Sequence, residues 1–132
     1  MVAALEIAER RRGHVTVVGL TGRLVADDGD TSFTNRITSL VASGSSDLVV
    51  SFERVTYIDS GGIGALVSMY LHIIRRGGRL KLLRPSDRVR RVLQMTRLVD
   101  VFEIFNDEAE AVRSFAQPTA VPAMVRRFQP GR

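Results

Sequence analysis

The run DLVVSF at residues 47–52 constrains the fold more than any other stretch of the chain. Successive side chains of an extended strand point to opposite faces, so a continuous apolar run has to be covered on both sides. Such a strand sits in the middle of a sheet layered with helices. The run is bounded by polar turn residues, as a central strand requires. Val55–Ile58 either extends this element or forms a short second strand.

The neighbouring segments supply what such a sheet needs. Residues 3–9 alternate loosely, and HVTVVGL at 14–20 is β-branched, with RRRG between them. Two strands about a glycine-containing turn read as a hairpin. After a Gly-, Asp- and Thr-rich loop, Asp30 or Thr31 is expected to cap a helix over 32–43, with Phe33, Ile37, Leu40 and Val41 inward and Gly44 at its end. A second helix is expected from Gly62 to Arg76, burying Ile63, Leu66, Val67, Tyr70 and Ile74 and stopped by Gly77-Gly78. RLKLL at 79–83 reads as a strand, and Ser86 begins a helix with Val89, Val92 and Leu93 inward. VFEIF at 101–105 alternates as the last strand, and Asp107 caps a final helix, EAEAVRSF. The order is β-β-α-β-α-β-α-β-α, an α/β layered domain.

Composition narrows the class. A chain of 132 residues with 45% hydrophobic and 25% charged residues fits one globular domain and excludes a disordered chain, a collagen or a coiled-coil rod. There is no Cys, which excludes disulfides and thiolate metal sites. His14 and His72 stand far apart, so neither a His-based catalytic pair nor a metal cluster is expected, and no cofactor is indicated. No apolar run approaches a membrane-spanning length. The N-terminal MVAALEIAERRRG puts its charges after its apolar part, the reverse of a signal peptide, and a cytoplasmic location is expected. Composition shifts at Gln117: residues 1–116 read as the domain, and 117–132, with three of the four prolines, as a tail.

The chemistry-bearing segment is YIDSGGIGAL, residues 57–66. A strand end is followed by Asp59 and Ser60, with Gly61, Gly62 and Gly64 in the opening of a helix. Asp59 or Ser60 can cap that helix, and its free amides and dipole favour an anion. Glycines let a partner or a phosphate approach the backbone. Known anion and nucleophile motifs do not match. The segment lacks G-x-x-x-x-G-K-[ST], GGIG is not G-x-G-x-x-G, and the pentad around Ser60 is IDSGG and not G-x-S-x-G. From spacing alone, a plain capping turn with glycines for close helix–sheet packing stands beside a functional reading.

DSGGIGAL, residues 59–66, resembles the D-S-[ST]-G-x-G-x-L signature of the STAS-domain anti-sigma factor antagonists. The likeness runs from about residue 3 to 115 and includes the element order, the apolar strand before the motif and the Gly-Gly after its helix. It also takes in Leu98-x-x-x-Phe102 leading to the last strand. The resemblance implies a STAS domain with a mixed sheet of about five strands and four helices. It also implies a regulatory binding protein, not an enzyme. In such a family the partner is an anti-sigma factor that is also a serine kinase. It phosphorylates the motif, a phosphatase restores it, and the unmodified form releases a sigma factor. Carried over, Ser60 is the phosphorylation site, and Asp59, Ser60, Gly61, Gly62 and Gly64 form the partner-binding surface. Gly61 stands where many members carry a second Ser or Thr, so Ser60 alone is left to take a phosphate.

The formal net charge of +5 is unevenly spread: residues 75–97 hold nine basic residues against Asp87 and net +8, which leaves −3 elsewhere. The stretch reads either as a solvated face or as a partner-facing patch through Arg84, Arg88 and Arg91. Nucleic acid is not expected as a partner, because no aromatic residue lies between Tyr70 and Phe102 to stack on bases. Membrane insertion is not expected either. The alternative role on the same fold is an accessory STAS subunit of a lipid-trafficking ABC transporter, or a STAS module without phosphorylation.

Overall fold

The computed structural model describes residues 4–117, and the prolines of the tail lie outside them. Its strands are β1 (Glu6–Arg12), β2 (Val15–Leu24), β3 (Asp47–Ile58), β4 (Arg79–Leu83) and β5 (Ile104–Phe105). Its helices are α1 (Asp30–Ala42), α2 (Ser60–Arg75), α3 (Asp87–Met95) and α4 (Glu108–Arg113), in the order read from the sequence. The five strands form one sheet, β1-β2-β3-β4-β5, in which β1 is antiparallel to β2 and the other pairs are parallel. The run at 47–52 is the central strand, and Leu48, Val49, Val50 and Phe52 are fully buried. Residues 55–58 continue the same strand.

Side-chain alternation along β3 divides the interior in two. Leu48, Val50 and Phe52 join Phe33 and Ile37 of α1, Leu66 and Ile73 of α2, and Val89 and Leu93 of α3 in the main core. Val49 faces the opposite side with Val15, Val17 and Leu83, beneath Ala111 and Phe115. Lys81, the one lysine, is buried in that second layer. Its ammonium donates to Ser114 Oγ at 2.8 Å, lies 3.4 Å from a Glu103 carboxylate oxygen and sits 4.5 Å from the Phe115 ring centre. A buried charge is tolerable when paired and hydrogen-bonded in this way.

Five elements differ from the sequence expectation. β1 runs on through Arg10–Arg12, expected as part of the turn, because these residues pair with Val17, Thr16 and Val15 of β2. β2 runs on through Thr21–Leu24, expected as loop, because the far half of β3 offers it Arg54, Val55, Tyr57 and Ile58 as pairing partners. Gly22 fits the register irregularity there with φ 117°, a conformation that side chains disfavour. α1 starts at Asp30 with Gly29, not Asp30 or Thr31, at the N-cap. The inward stripe of α2 is Gly62, Leu66, Met69, Tyr70 and Ile73, so Ile63, Val67 and Ile74 are only half-buried. Gly62 against the sheet sets that rotation. Finally, β5 keeps only two residues. Leu98–Asp100 form a 3-10 turn, and Phe102 packs edge-on to Tyr70 at 4.8 Å between ring centres. With that aromatic contact in place, residues 101–103 lie outside the strand.

On the sheet's edge, Arg10 and Arg12 of β1 both grip Glu108 of α4, one bond measuring 2.9 Å. The hydrogen bond from Arg10, helped by Arg12, holds the Glu108 carboxyl below its ordinary value. A depressed carboxyl adds stability above its unfolded pKa and loses it as pH falls through the folded one. Both arginines are well exposed, so solvent screening limits the effect to about 0.5–1 kcal/mol. The expected result is a Glu108→Gln destabilisation in urea melts at neutral pH that shrinks as the pH is lowered through and below the ordinary carboxylate range.

Candidate functional site

Parallel strands bring the β2–α1, β3–α2, β4–α3 and β5–α4 junctions to one end of the sheet, where open α/β sheets place their ligands. The β3–α2 junction is the DSGG segment. Asp59 has extended backbone and is the N-cap of α2; its carboxylate accepts from the Gly62 amide at 2.9 Å. The same carboxylate accepts from the Ala26 amide at 3.1 and 3.2 Å. One side chain therefore closes the helix and ties the β2–α1 loop to it. Ser60 is the first helical residue and is exposed. At this position the amides of Ser60 and Gly61 have no carbonyl a turn below to donate to, which favours negative charge beside them.

The three glycines have different reasons to be there. A Cβ on Gly62 would stand 2.0 Å from the Leu24 carbonyl oxygen, so the helix can meet the sheet only without one. At Gly61 a Cβ would stand 2.5 Å from the Ala26 Cβ and 2.8 Å from its Cα. That contact excludes a second Ser or Thr in this backbone and accounts for the departure at 61. Nothing lies within 4 Å of a Cβ placed on Gly64. Since a helical glycine costs about 0.5–1 kcal/mol relative to alanine, Gly64→Ala is expected to stabilise the fold by that amount. Chemical denaturation of the two proteins checks it.

Sequence reasoning missed the other groups at this end. Tyr57 is 40% exposed, and the Arg23 guanidinium lies 5.5 Å from its ring centre. Alternation along β3 would have turned Tyr57 away from Ile58, but no sequence signal placed Arg23 across from it. The loop held by Asp59 also presents Asp27, at φ 63°.

The basic stretch is dispersed. Lys81 is internal; Arg79 bonds the Gln117 and Phe115 carbonyls, both at 2.7 Å. Arg84 donates to the Asn106 carbonyl at 2.6 Å and to Glu53 at 3.4 Å. Arg88 and Arg91 are exposed on α3. Among the described residues, no group of three or more His, Cys, Asp or Glu side chains is placed to hold a metal ion, and no helix is long and apolar enough to cross a membrane.

Comparison with known proteins agrees with this arrangement. The STAS domain family model matches residues 6–111. The anti-sigma-B factor antagonist of Bacillus subtilis is 34% identical over 64 residues, which are 48% of this chain and 59% of that protein. The chain thus spans little more than half the length of that curated relative. The anti-sigma F factor antagonist of Paenibacillus polymyxa is 26% identical over 79% of this chain and 88% of that one. The Bacillus cell fate determinant SpoIIAA, in its phosphorylated form, superimposes with a TM-score of 0.65 at 24% identity, covering 85% of this chain and 99% of that one. With the element order, the sheet and the capped DSGG turn in place, this chain belongs to the STAS domain family.

Proposed function

We propose that this protein is an anti-sigma factor antagonist regulated at Ser60. In its unmodified form it binds an anti-sigma factor through the surface around Asp59, Ser60, Gly61, Gly62 and Gly64, and a sigma factor is released. The bound factor is also a serine kinase: it transfers the terminal phosphoryl group of ATP to Ser60 Oγ, giving ADP and a proton. The modified form lets go, and a phosphatase returns it to the active state. The chain is thus the substrate of an enzyme and works as a binding protein in the cytoplasm. Arg88 and Arg91 lie on the helix after the neighbouring strand and extend the partner surface.

One observation carries the reading. Ser60 is exposed at the start of α2, in a turn that Asp59 fixes through both Gly62 and Ala26. A capping turn made only for packing would need Asp59 and Gly62 but not an exposed hydroxyl at that place. The absence of a second hydroxyl does not speak for a module without a switch, because Ala26 fills the space beside Gly61.

The test is to incubate the protein with an anti-sigma kinase of its own organism and ATP, and to measure intact mass. Wild type is expected to gain one phosphoryl group and Ser60→Ala none. An unmodified wild type, or equal modification of Ser60→Ala, would remove the phosphorylation claim.

A further inference from the structure

Helix α2 lies on the surface, yet its outer side carries almost no charge. Its inner side buries Gly62, Leu66, Met69, Tyr70 and Ile73. At 3.6 residues per turn, Ser60, Gly64, Val67, Ser68, Leu71 and Arg75 make the outward ridge. Ser60, Gly64, Ser68 and Arg75 are exposed there, with Val67 and Leu71 half-buried. From Ser60 to Ile74 the helix has no Asp, Glu, Lys or Arg, in a chain where 25% of residues are charged. A surface helix normally sets charged residues on its outer face, and the buried centres of protein interfaces are depleted of charge.

We propose that the cover is a second copy of this chain, the two α2 helices packing antiparallel about a two-fold axis at Val67–Ser68. That register sets Ser60 opposite Arg75, Gly64 opposite Leu71 and Val67 opposite Ser68. Each pair joins a small side chain to a larger one, and each occurs twice, as a self-complementary two-fold contact requires. Charge selects the same arrangement. Arg75 is exposed and has no ion pair among the described residues. Antiparallel packing brings it to the other copy's helix N-terminus, beside Asp59 and the loop with Asp27 and Asp28. The two helix dipoles are then opposed, which is favourable. Parallel packing would set Arg75 against Arg75. The pairing covers Ser60, so self-association would compete with any partner that reads this residue. The pairing follows from the surface of α2 whether or not Ser60 is a phosphorylation site.

The experiment needs no kinase. Sedimentation equilibrium should show wild type associating with rising concentration, and Ser68→Arg remaining monomeric with an unchanged circular dichroism melt. Because the chain has no Cys, single replacements report the geometry by disulfide formation under diamide. Ser68→Cys should cross-link to dimer. Ser60→Cys and Arg75→Cys should each give no disulfide-linked dimer alone and should cross-link when mixed. A wild type monomeric at every concentration, an association that survives Ser68→Arg, or Ser60→Cys cross-linking to itself as readily as Ser68→Cys would each overturn the proposal.

Discussion

Gly62→Ala is expected to destabilise the protein by about 3 kcal/mol and to lower its melting temperature by roughly 10 °C. The added Cβ would stand 2.0 Å from the Leu24 carbonyl and 2.9 Å from the Ile58 side chain. Neither neighbour is free to yield. Leu24 and Ile58 pair with each other across β2 and β3, and both are buried. The first turn of α2 must therefore lift off the sheet, loosening the Asp59 contacts to Gly62 and Ala26 as it moves. Helix propensity on its own gives the opposite sign, a gain of about 0.5–1 kcal/mol for glycine to alanine. Gly64→Ala, two positions along with open space around it, should show that gain. Calorimetric melts of the two variants thus separate close packing from propensity within one turn of helix.

Phosphorylation of Ser60 is expected to leave the melting temperature nearly unchanged while weakening the anti-sigma partner by two to three orders of magnitude. The phosphate brings about −1.5 to −2 charge and three strong acceptor oxygens. Within this chain it meets the unpaired opening amides and positive dipole end of α2, which compensate for the nearby Asp59 carboxylate. A partner packed over Ser60 meets instead new bulk and a charge it must desolvate. A loss of about 3–4 kcal/mol at that contact corresponds to the stated fall in affinity. Ser60→Ala should keep the partner and resist modification, and Ser60→Asp should reproduce part of the loss.

Much of the fold was legible where one local cause decides the outcome. The apolar run at 47–52 announced a central strand, Gly77-Gly78 ended α2, and Asp107 and Ser86 cap their helices as read. What was not legible depended on contacts between distant segments. Thr21–Leu24 became strand because β3 overshoots β4 and offers them partners. VFEIF lost its first residues from the sheet to the packing of Phe102 on Tyr70. The site shows the same division. Asp59 as a cap and the motif's anion-favouring helix start follow from spacing. The second bond of Asp59 to Ala26, and the reason for glycine at 61, depend on a loop more than thirty residues earlier. The basic stretch is the clearest such case. Nine basic residues close in sequence are spread by the fold over a buried lysine, two arginines bonded to backbone carbonyls (Arg79 and Arg84), the end of α2 (Arg75 and Arg76), α3 (Arg88, Arg90 and Arg91) and the turn after it (Arg97).

The central claim is that one phosphate on Ser60 separates this protein from its partner without disturbing its fold. Titration calorimetry of the kinase with unmodified and singly phosphorylated protein tests it directly. The expected result is tight binding of the unmodified form, a fall of two to three orders of magnitude for the phosphorylated form, and matching melting curves. Equal affinity of the two forms, or a phosphorylated form that has lost its cooperative melt, would contradict it.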